Sequence, residues 1–193
     1  MTRVAIIGAG ISGLACARQL AKAGVSVVVF DKKRGIGGRV ATRRAGDLQF
    51  DHGAPFVRAQ RDDFSALLAS LTVDGSAVPW TDDKGVTWTV GSPGMSAIPK
   101  AMGVGLDVRL GTQILKVNAN QSGWHLHYDE TEYVATHIVM TVPKPQIAGL
   151  LGYRHPLIPQ IADVKMEPGL TLMATVSGST PSITPFYPVT RLP

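Results

Sequence analysis

Residues 3–31 read RVAIIGAGISGLACARQLAKAGVSVVVFD, and the order of residue types in this stretch decides the fold. Arg3–Ile7 is a continuous apolar run that ends in a glycine, the mark of a strand buried on both faces of a parallel sheet. Gly8 permits the tight turn, Gly10 lets the backbone approach a pyrophosphate, and Gly13 lets the next helix pack closely on the strand. That helix is expected over about Ser12 to Ala23, with Leu14, Ala15, Ala17, Leu20 and Ala21 on its packed side. Its first residues, Ile11 and Ser12, place unpaired amides and the positive end of the helix dipole where an anion can sit. Gly24 ends the helix, Val25–Phe30 is a second strand, and Asp31 stands at its carboxyl end, placed to bind ribose hydroxyls. A lone GxGxxG is a weak sign. Here it joins a strand to a helix with an acid about 20 residues on, as dinucleotide binding requires.

The chain has 193 residues, is 45% apolar and carries a net charge of +5, enough to bury a core of one domain or of one and part of another. Its positive charge is scattered and densest at Lys32, Lys33 and Arg34. No basic helical stripe interleaved with aromatic residues is present, so nucleic-acid binding is not expected. An anionic cofactor accounts for the cluster more simply, with Lys32 near it and Lys33 in solvent. Cys16 is the only cysteine, which excludes an intrachain disulfide and suits a reducing compartment. With a strand beginning at Arg3 and no apolar run of membrane-spanning length, the expected setting is the cytoplasm.

Gly37-Gly38-Arg39 follows, a loop with little bulk leading into a guanidinium fork suited to phosphate oxygens. Arg39 is the candidate clamp on the pyrophosphate, opposite the helix N-terminus. Arg43 is expected at the surface. Leu48–Asp51 reads as a short strand reaching His52-Gly53-Ala54-Pro55, where His52 is a candidate for positioning a cofactor rather than moving a proton. Arg61–Leu71 has helical spacing, and Val86, Trp88 and Val90 alternate as one arm of a hairpin with Trp80 on the other. A short helix capped by Ser96 is expected to end near Gly103. Leu106–Leu110, Gln113–Val117, Trp124–Tyr128 and Glu132–Ala135 read as the strands of a β-meander, with turn chemistry at Asn118–Gly123. His125 and His127 share one strand face without an acidic partner at ligand spacing, so a solvated face is expected and no metal site. His137–Val142 is a buried strand returning to the cofactor sheet, followed by a helix over Gln146–Leu151.

GAGISGLACARQL followed by FDKKRGIGGRVATRR is similar to the FAD-binding head of the flavin amine oxidase superfamily. DKKRGIGGR, FDHGAPF, VGSPGMSAIPKAM and TVPKPQIAGLL resemble its renalase-like branch of FAD/NAD(P)-dependent oxidoreductases, from about residue 3 to about residue 152. The resemblance implies bound FAD, with Gly8, Gly10, Ile11, Ser12 and Gly13 at the pyrophosphate and Asp31 at the adenosine ribose. Gly37, Gly38 and Arg39 would hold the phosphates, with His52, Gly53 and Ala54 near the flavin and Ile114 against adenine. Pro55 stands where the family commonly has a polar residue. The implied fold is α/β: a Rossmann-like FAD/NAD(P)-binding domain with a β-meander from residues 1–56 and 91–152. A partial mixed-sheet substrate domain would come from residues 57–90 and 153–176, including a strand over Thr171–Val176. Residues 177–193, with Pro181, Pro185, Pro188 and Pro193, read as an irregular tail. Full-length relatives continue past this point, so the expectation is a C-terminally truncated member, or one completed by a second polypeptide or by self-association.

The implied function is hydride transfer from a small reduced substrate, a dihydronicotinamide or an amine, to flavin, with oxygen as the acceptor; no catalytic residue is assigned. Two alternatives stay open on the sequence. One is an inactive nucleotide-binding fragment. The other is an NAD(P)-binding dehydrogenase or regulatory module, against which Asp31 argues because a carboxylate repels a 2′-phosphate.

Overall fold

In the computed structural model, which describes residues 1–82 and 84–175, β1 (Arg3–Ile7) occupies the interior of a four-stranded parallel sheet. From it the chain passes through α1 (Ile11–Lys22) to β2 (Ser26–Phe30), paired with β1 so that Val4 faces Val27 and Ile6 faces Val29. A helical crossover is what a parallel pair needs. A single 3-10 turn, Gly38–Val40, then leads into the hairpin β3 (Thr42–Ala45) and β4 (Leu48–Asp51). Helix α2 (Asp62–Val73) buries Leu68 and Leu71, and the hairpin β5 (Ala77–Thr81) and β6 (Thr87–Gly91) follows. Next come α3 (Ala97–Gly103) and β7 (Asp107–Arg109), and then the antiparallel meander β8 (Lys116–Asn120), β9 (Gly123–Tyr128) and β10 (Thr131–Ala135). β11 (His137–Met140) returns beside β1, and α4 (Lys144–Leu151) and α5 (Leu157–Gln160) close the described chain.

The sheet order is β11-β1-β2-β7, so the chain leaves β1 toward one side and comes back to it from the other. Such a reversal opens a crevice at the carboxyl ends of the strands. Alternation along the strands covers both faces. Ala5, Ile7, Val28 and Phe30 pack on the meander through Val117, Leu126 and Ala135, whereas Val4, Ile6 and Val29 pack on Ala17 of α1. Leu14 turns to a further cluster with Leu68, Leu71, Ile98 and Met102, which fastens α2 and α3 to the sheet.

Four expectations need correction. Leu106–Leu110 is not a meander strand: β7 lies parallel to β2 with Val108 opposite Val29. Its alternation serves either arrangement, and the preceding α3 supplies the crossover that makes the parallel one possible. Val108 packs toward α1, and the Arg109 guanidinium stacks 5.5 Å from the Phe30 ring and 5.3 Å from Tyr133. The first meander strand begins three residues later than expected and runs through Asn118 and Asn120. These turn-forming residues stay extended because their side-chain oxygens lie 2.7 Å and 2.9 Å from the His127 and His125 Nε2 atoms across the strands. Ser96 makes no side-chain cap; its backbone is already helical and its N–H donates to Thr42 Oγ1 at 3.0 Å. Thr171–Thr175 forms no strand, since among the described residues no neighbouring strand pairs with it, and the expected tail over 177–193 lies outside the described residues.

The β5–β6 turn is closed by one carboxylate. Asp82 accepts from the amides of Lys84 and Val86 at 2.9 and 2.8 Å and from the Trp88 indole N–H at 3.0 Å. The indole bond, then the Val86 amide, hold its pKa below the usual carboxylate value. A depressed folded-state pKa stabilises the hairpin above the ordinary carboxylate value, and that contribution is lost as pH falls through the lowered one. Tryptophan fluorescence is therefore expected to change at acid pH in the native protein, and Asp82→Asn should remove that transition.

Candidate cofactor site

Gly8 leaves β1 at φ +113, a conformation L side chains rarely adopt, and its N–H donates to the Phe30 carbonyl at 2.8 Å. A Cβ on Gly13 would stand 2.0 Å from the Gly8 oxygen, so only glycine lets α1 lie this close to the turn. Gly10 differs. Its backbone is extended, and a Cβ added there would meet nothing within 4 Å. It faces a cavity of about 550 Å³, so no protein atom demands glycine here. Gly10 also precedes α1 without a capping side chain, and the helix has no acid in its first turn. Its first amides are left for a ligand.

The second glycine loop lies against the first. Gly37 N–H donates to the Ala9 carbonyl at 3.0 Å, Gly10 and Gly37 form a β-bridge, and a Cβ on Gly38 would come 3.3 Å from Gly10 Cα. Gly37 and Gly38 sit at φ +130 and +58, which bends the chain so that Arg39 borders the same cavity. Among the described residues the Arg39 side chain takes no hydrogen bond or ion pair. Asp31 does more than stand at the strand end. Its Oδ2 accepts from Ala9 N–H and its Oδ1 from Lys33 N–H, both at 2.8 Å, so the carboxylate fixes the glycine turn and its own loop. Each oxygen keeps a lone pair for a sugar diol.

Of the residues expected from sequence, Gly8, Gly10, Ile11, Ser12, Asp31, Lys32, Gly37, Gly38, Arg39 and Ile114 border this cavity. Gly13 sits behind the turn as a packing glycine. His52, Gly53 and Ala54 stand outside the cavity walls, and Gly53 and Ala54 brace Arg39 instead. Ala54 N–H donates to the Arg39 carbonyl at 2.8 Å, and a Cβ on Gly53 would lie 2.0 Å from that oxygen. Among the described residues, His52 Nδ1 is buried without a hydrogen-bond partner. Lys33, expected in solvent, is exposed and also borders the cavity.

Several wall residues were not singled out in advance. Thr141, at the end of β11, donates to the carbonyls of Ile7 and Gly8 at 3.1 and 3.0 Å and seats the glycine turn from below. Thr112 N–H donates to the Asp31 carbonyl at 2.9 Å. From α4, Gln146, Gly149 and Leu150 present an i, i+3, i+4 face to the cavity. The usable sign for Thr141 was β11 itself: a parallel strand beside β1 brings its carboxyl end to the same crevice.

His125 and His127 do share a face, and the expectation that they lack an acidic partner is corrected. Glu132, on the neighbouring strand, places Oε2 2.9 Å from His125 Nδ1 and 3.9 Å from His127 Nδ1. Among the described residues, no group of His, Cys, Asp and Glu is arranged to hold a metal ion. No described helix is long and apolar enough to cross a membrane.

These features fit one kind of group. Helix amides and a guanidinium without partners among the described residues suit a diphosphate, the Asp31 carboxylate suits a ribose, and Ile7, Phe30, Ile114 and Leu115 supply apolar wall for an aromatic base. Comparison with known proteins agrees. Residues 6–71 match the NAD(P)-binding Rossmann-like domain, and residues 74–176 match the flavin containing amine oxidoreductase family. A Mycobacterium tuberculosis protein carrying the name flavin-containing monoamine oxidase AofH is 37% identical over 70 residues, which cover 36% of this chain and 15% of that protein. Protoporphyrinogen oxidase 2 of Arabidopsis thaliana is 36% identical over 69 residues, 36% of this chain and 14% of that one. The aligned segment is thus a small part of these relatives. Among solved structures, a putrescine oxidase double mutant redesigned in cofactor binding superposes with a TM-score of 0.65 at 16% identity, over 80% of this chain and 62% of its own. A protein of Exiguobacterium sp. 255-15 described as a protoporphyrinogen oxidase gives 0.67 at 13%, over 84% and 63%. At such identities the structures speak for the fold, an α/β Rossmann-like FAD-binding arrangement. The family model covers more than half of the sequence, and on that ground the chain belongs to the flavin containing amine oxidoreductases, whose cofactor is FAD.

Proposed function

We propose that this chain holds FAD in the cavity at the carboxyl edge of its parallel sheet and serves a renalase-like oxidation of a small reduced substrate. The contact between the two glycine loops supports this reading most strongly, because it brings the α1 amides, Arg39 and Asp31 to one cavity. The α1 amides and Arg39 grip the diphosphate from two sides, and Asp31 takes the ribose hydroxyls. Thr141 and Asp31 keep the turn from shifting. When bound, FAD would supply the hydride acceptor for a dihydronicotinamide or an amine, with oxygen as the final acceptor. The protein's share is to bind, orient and shield, in a cytoplasmic setting.

Arg39→Ala is the first test. With no partner among the described residues, its loss should change stability by less than about 0.5 kcal/mol. Losing a charged hydrogen-bond donor to phosphate should weaken FAD by about 1.5–3 kcal/mol, roughly ten- to a hundredfold. Flavin fluorescence titration beside a thermal melt reads both quantities. Unchanged affinity refutes the assignment.

A second reading, nucleotide binding without turnover, is favoured by one observation: the cavity walls exclude His52, Gly53 and Ala54, the segment expected at the flavin end. Anaerobic addition of a dihydronicotinamide or an amine to the FAD-loaded protein separates the two. Loss of the oxidised-flavin absorbance supports the oxidoreductase, and bound flavin that stays oxidised with every donor supports the second reading.

A further inference from the structure

Among the described residues, two residues of the cavity wall are joined by a side-chain bond that the phosphate and ribose contacts do not use. Lys32 Nζ, just past β2, donates to Gln146 Oε1 of α4 at 3.2 Å. The two residues are 114 positions apart in sequence and both border the cavity, so their bond spans from one wall to the other. Both are exposed, and neither belongs to a core cluster, so packing does not account for the pairing. The two walls are held separately. The Lys32 side is fixed by the Asp31 carboxylate on Lys33 N–H and by Gly111 N–H on the Lys33 carbonyl at 2.9 Å. The α4 side is fixed by Lys144 Nζ, which donates to the Ala162 carbonyl at 2.8 Å. A bond between two separately anchored walls can open to pass a ligand and re-form behind it.

We infer that Lys32 and Gln146 form a clasp over the adenosine end of the cofactor cavity, setting how fast the dinucleotide enters and leaves rather than how tightly it is held. This rests on the proposed binding of FAD in the same cavity. A gate has a kinetic signature that a contact residue lacks. Removing a bond present both before and after binding speeds association and dissociation by the same factor and leaves Kd where it was. Removing a ligand contact speeds dissociation alone.

The test is stopped-flow flavin fluorescence on the whole chain, with association measured by mixing FAD and dissociation by displacing it with excess ADP. Gln146→Leu keeps a good helix former and removes the acceptor. It is expected to raise both rate constants about three- to tenfold, the range for one exposed charged hydrogen bond, with Kd unchanged within twofold. An unchanged pair of rates in Gln146→Leu, or faster dissociation with unchanged association, overturns the clasp while FAD binding stands. Failure of the native chain to take up FAD at all overturns the binding reading and the clasp with it.

Discussion

Gly10→Ala is expected to leave the protein folded and to cost it most of its affinity for FAD, whereas Gly13→Ala is expected to destabilise the fold itself. The same methyl group is added three residues apart in one motif, and the surroundings decide the outcome. At Gly13 the new Cβ lies 2.0 Å from the Gly8 carbonyl and 2.9 Å from Thr141 Oγ1. The first is backbone and the second is fixed by bonds to Ile7 and Gly8, so neither can step aside. Overpacking of this kind costs about 1–3 kcal/mol or more, against total stabilities of about 5–15. At Gly10 no protein atom lies within 4 Å of the added carbon, and the extended backbone there suits alanine. The loss should be about 1 kcal/mol or less, the ordinary penalty for alanine before a helix. That carbon nevertheless enters the space where the diphosphate must touch the backbone. An obstruction worth about 1–3 kcal/mol weakens binding roughly five- to a hundredfold. Denaturant melts and FAD titrations on the two variants measure the contrast. Equal destabilisation of both, or full affinity in Gly10→Ala, would contradict the division between packing glycine and ligand glycine.

Asp31→Ala is expected to damage the protein before any cofactor is added. Its carboxylate accepts the N–H of Ala9, a fully buried residue, and without it that donor has no partner in the turn. An unsatisfied buried amide costs about 1–3 kcal/mol, and releasing Lys33 N–H loosens the loop on the other side. Affinity for FAD then falls for two reasons, a lost ribose acceptor and a glycine turn no longer held. Asp31→Asn should lie between, because its amide offers one acceptor oxygen where two are used. Melting the cofactor-free variants separates the roles. Native stability in Asp31→Ala, with only FAD affinity reduced, would show a ribose ligand and no structural anchor.

What could be read in advance divides along physical lines. The first βαβ unit was legible because each requirement falls on a different residue type at a fixed spacing: apolar strand, glycines, small-residue helix, acid. The contact of the two glycine loops was legible only as chemistry, since a shared preference for phosphate does not state that Gly37 reaches Ala9. β7 was misplaced because alternation of Leu106, Val108 and Leu110 reports which side chains are buried and is silent on the partner strand. Asn118 and Asn120 favour a turn by propensity, and the histidines across from them override it. The anchoring role of Asp31 and the seat provided by Thr141 are contacts between residues distant in sequence. No periodicity carries them.

On the proposed binding, one diphosphate lies between the first turn of α1 and the Gly38-Arg39 loop. Amide NMR of the native chain during an FAD titration tests it most directly. The amides of Gly10, Ile11, Ser12, Gly38 and Arg39 are expected to shift together and saturate at one equivalent, while those of the β5–β6 hairpin stay still. Saturable shifts confined to other parts of the chain, or none at any FAD concentration, would contradict it.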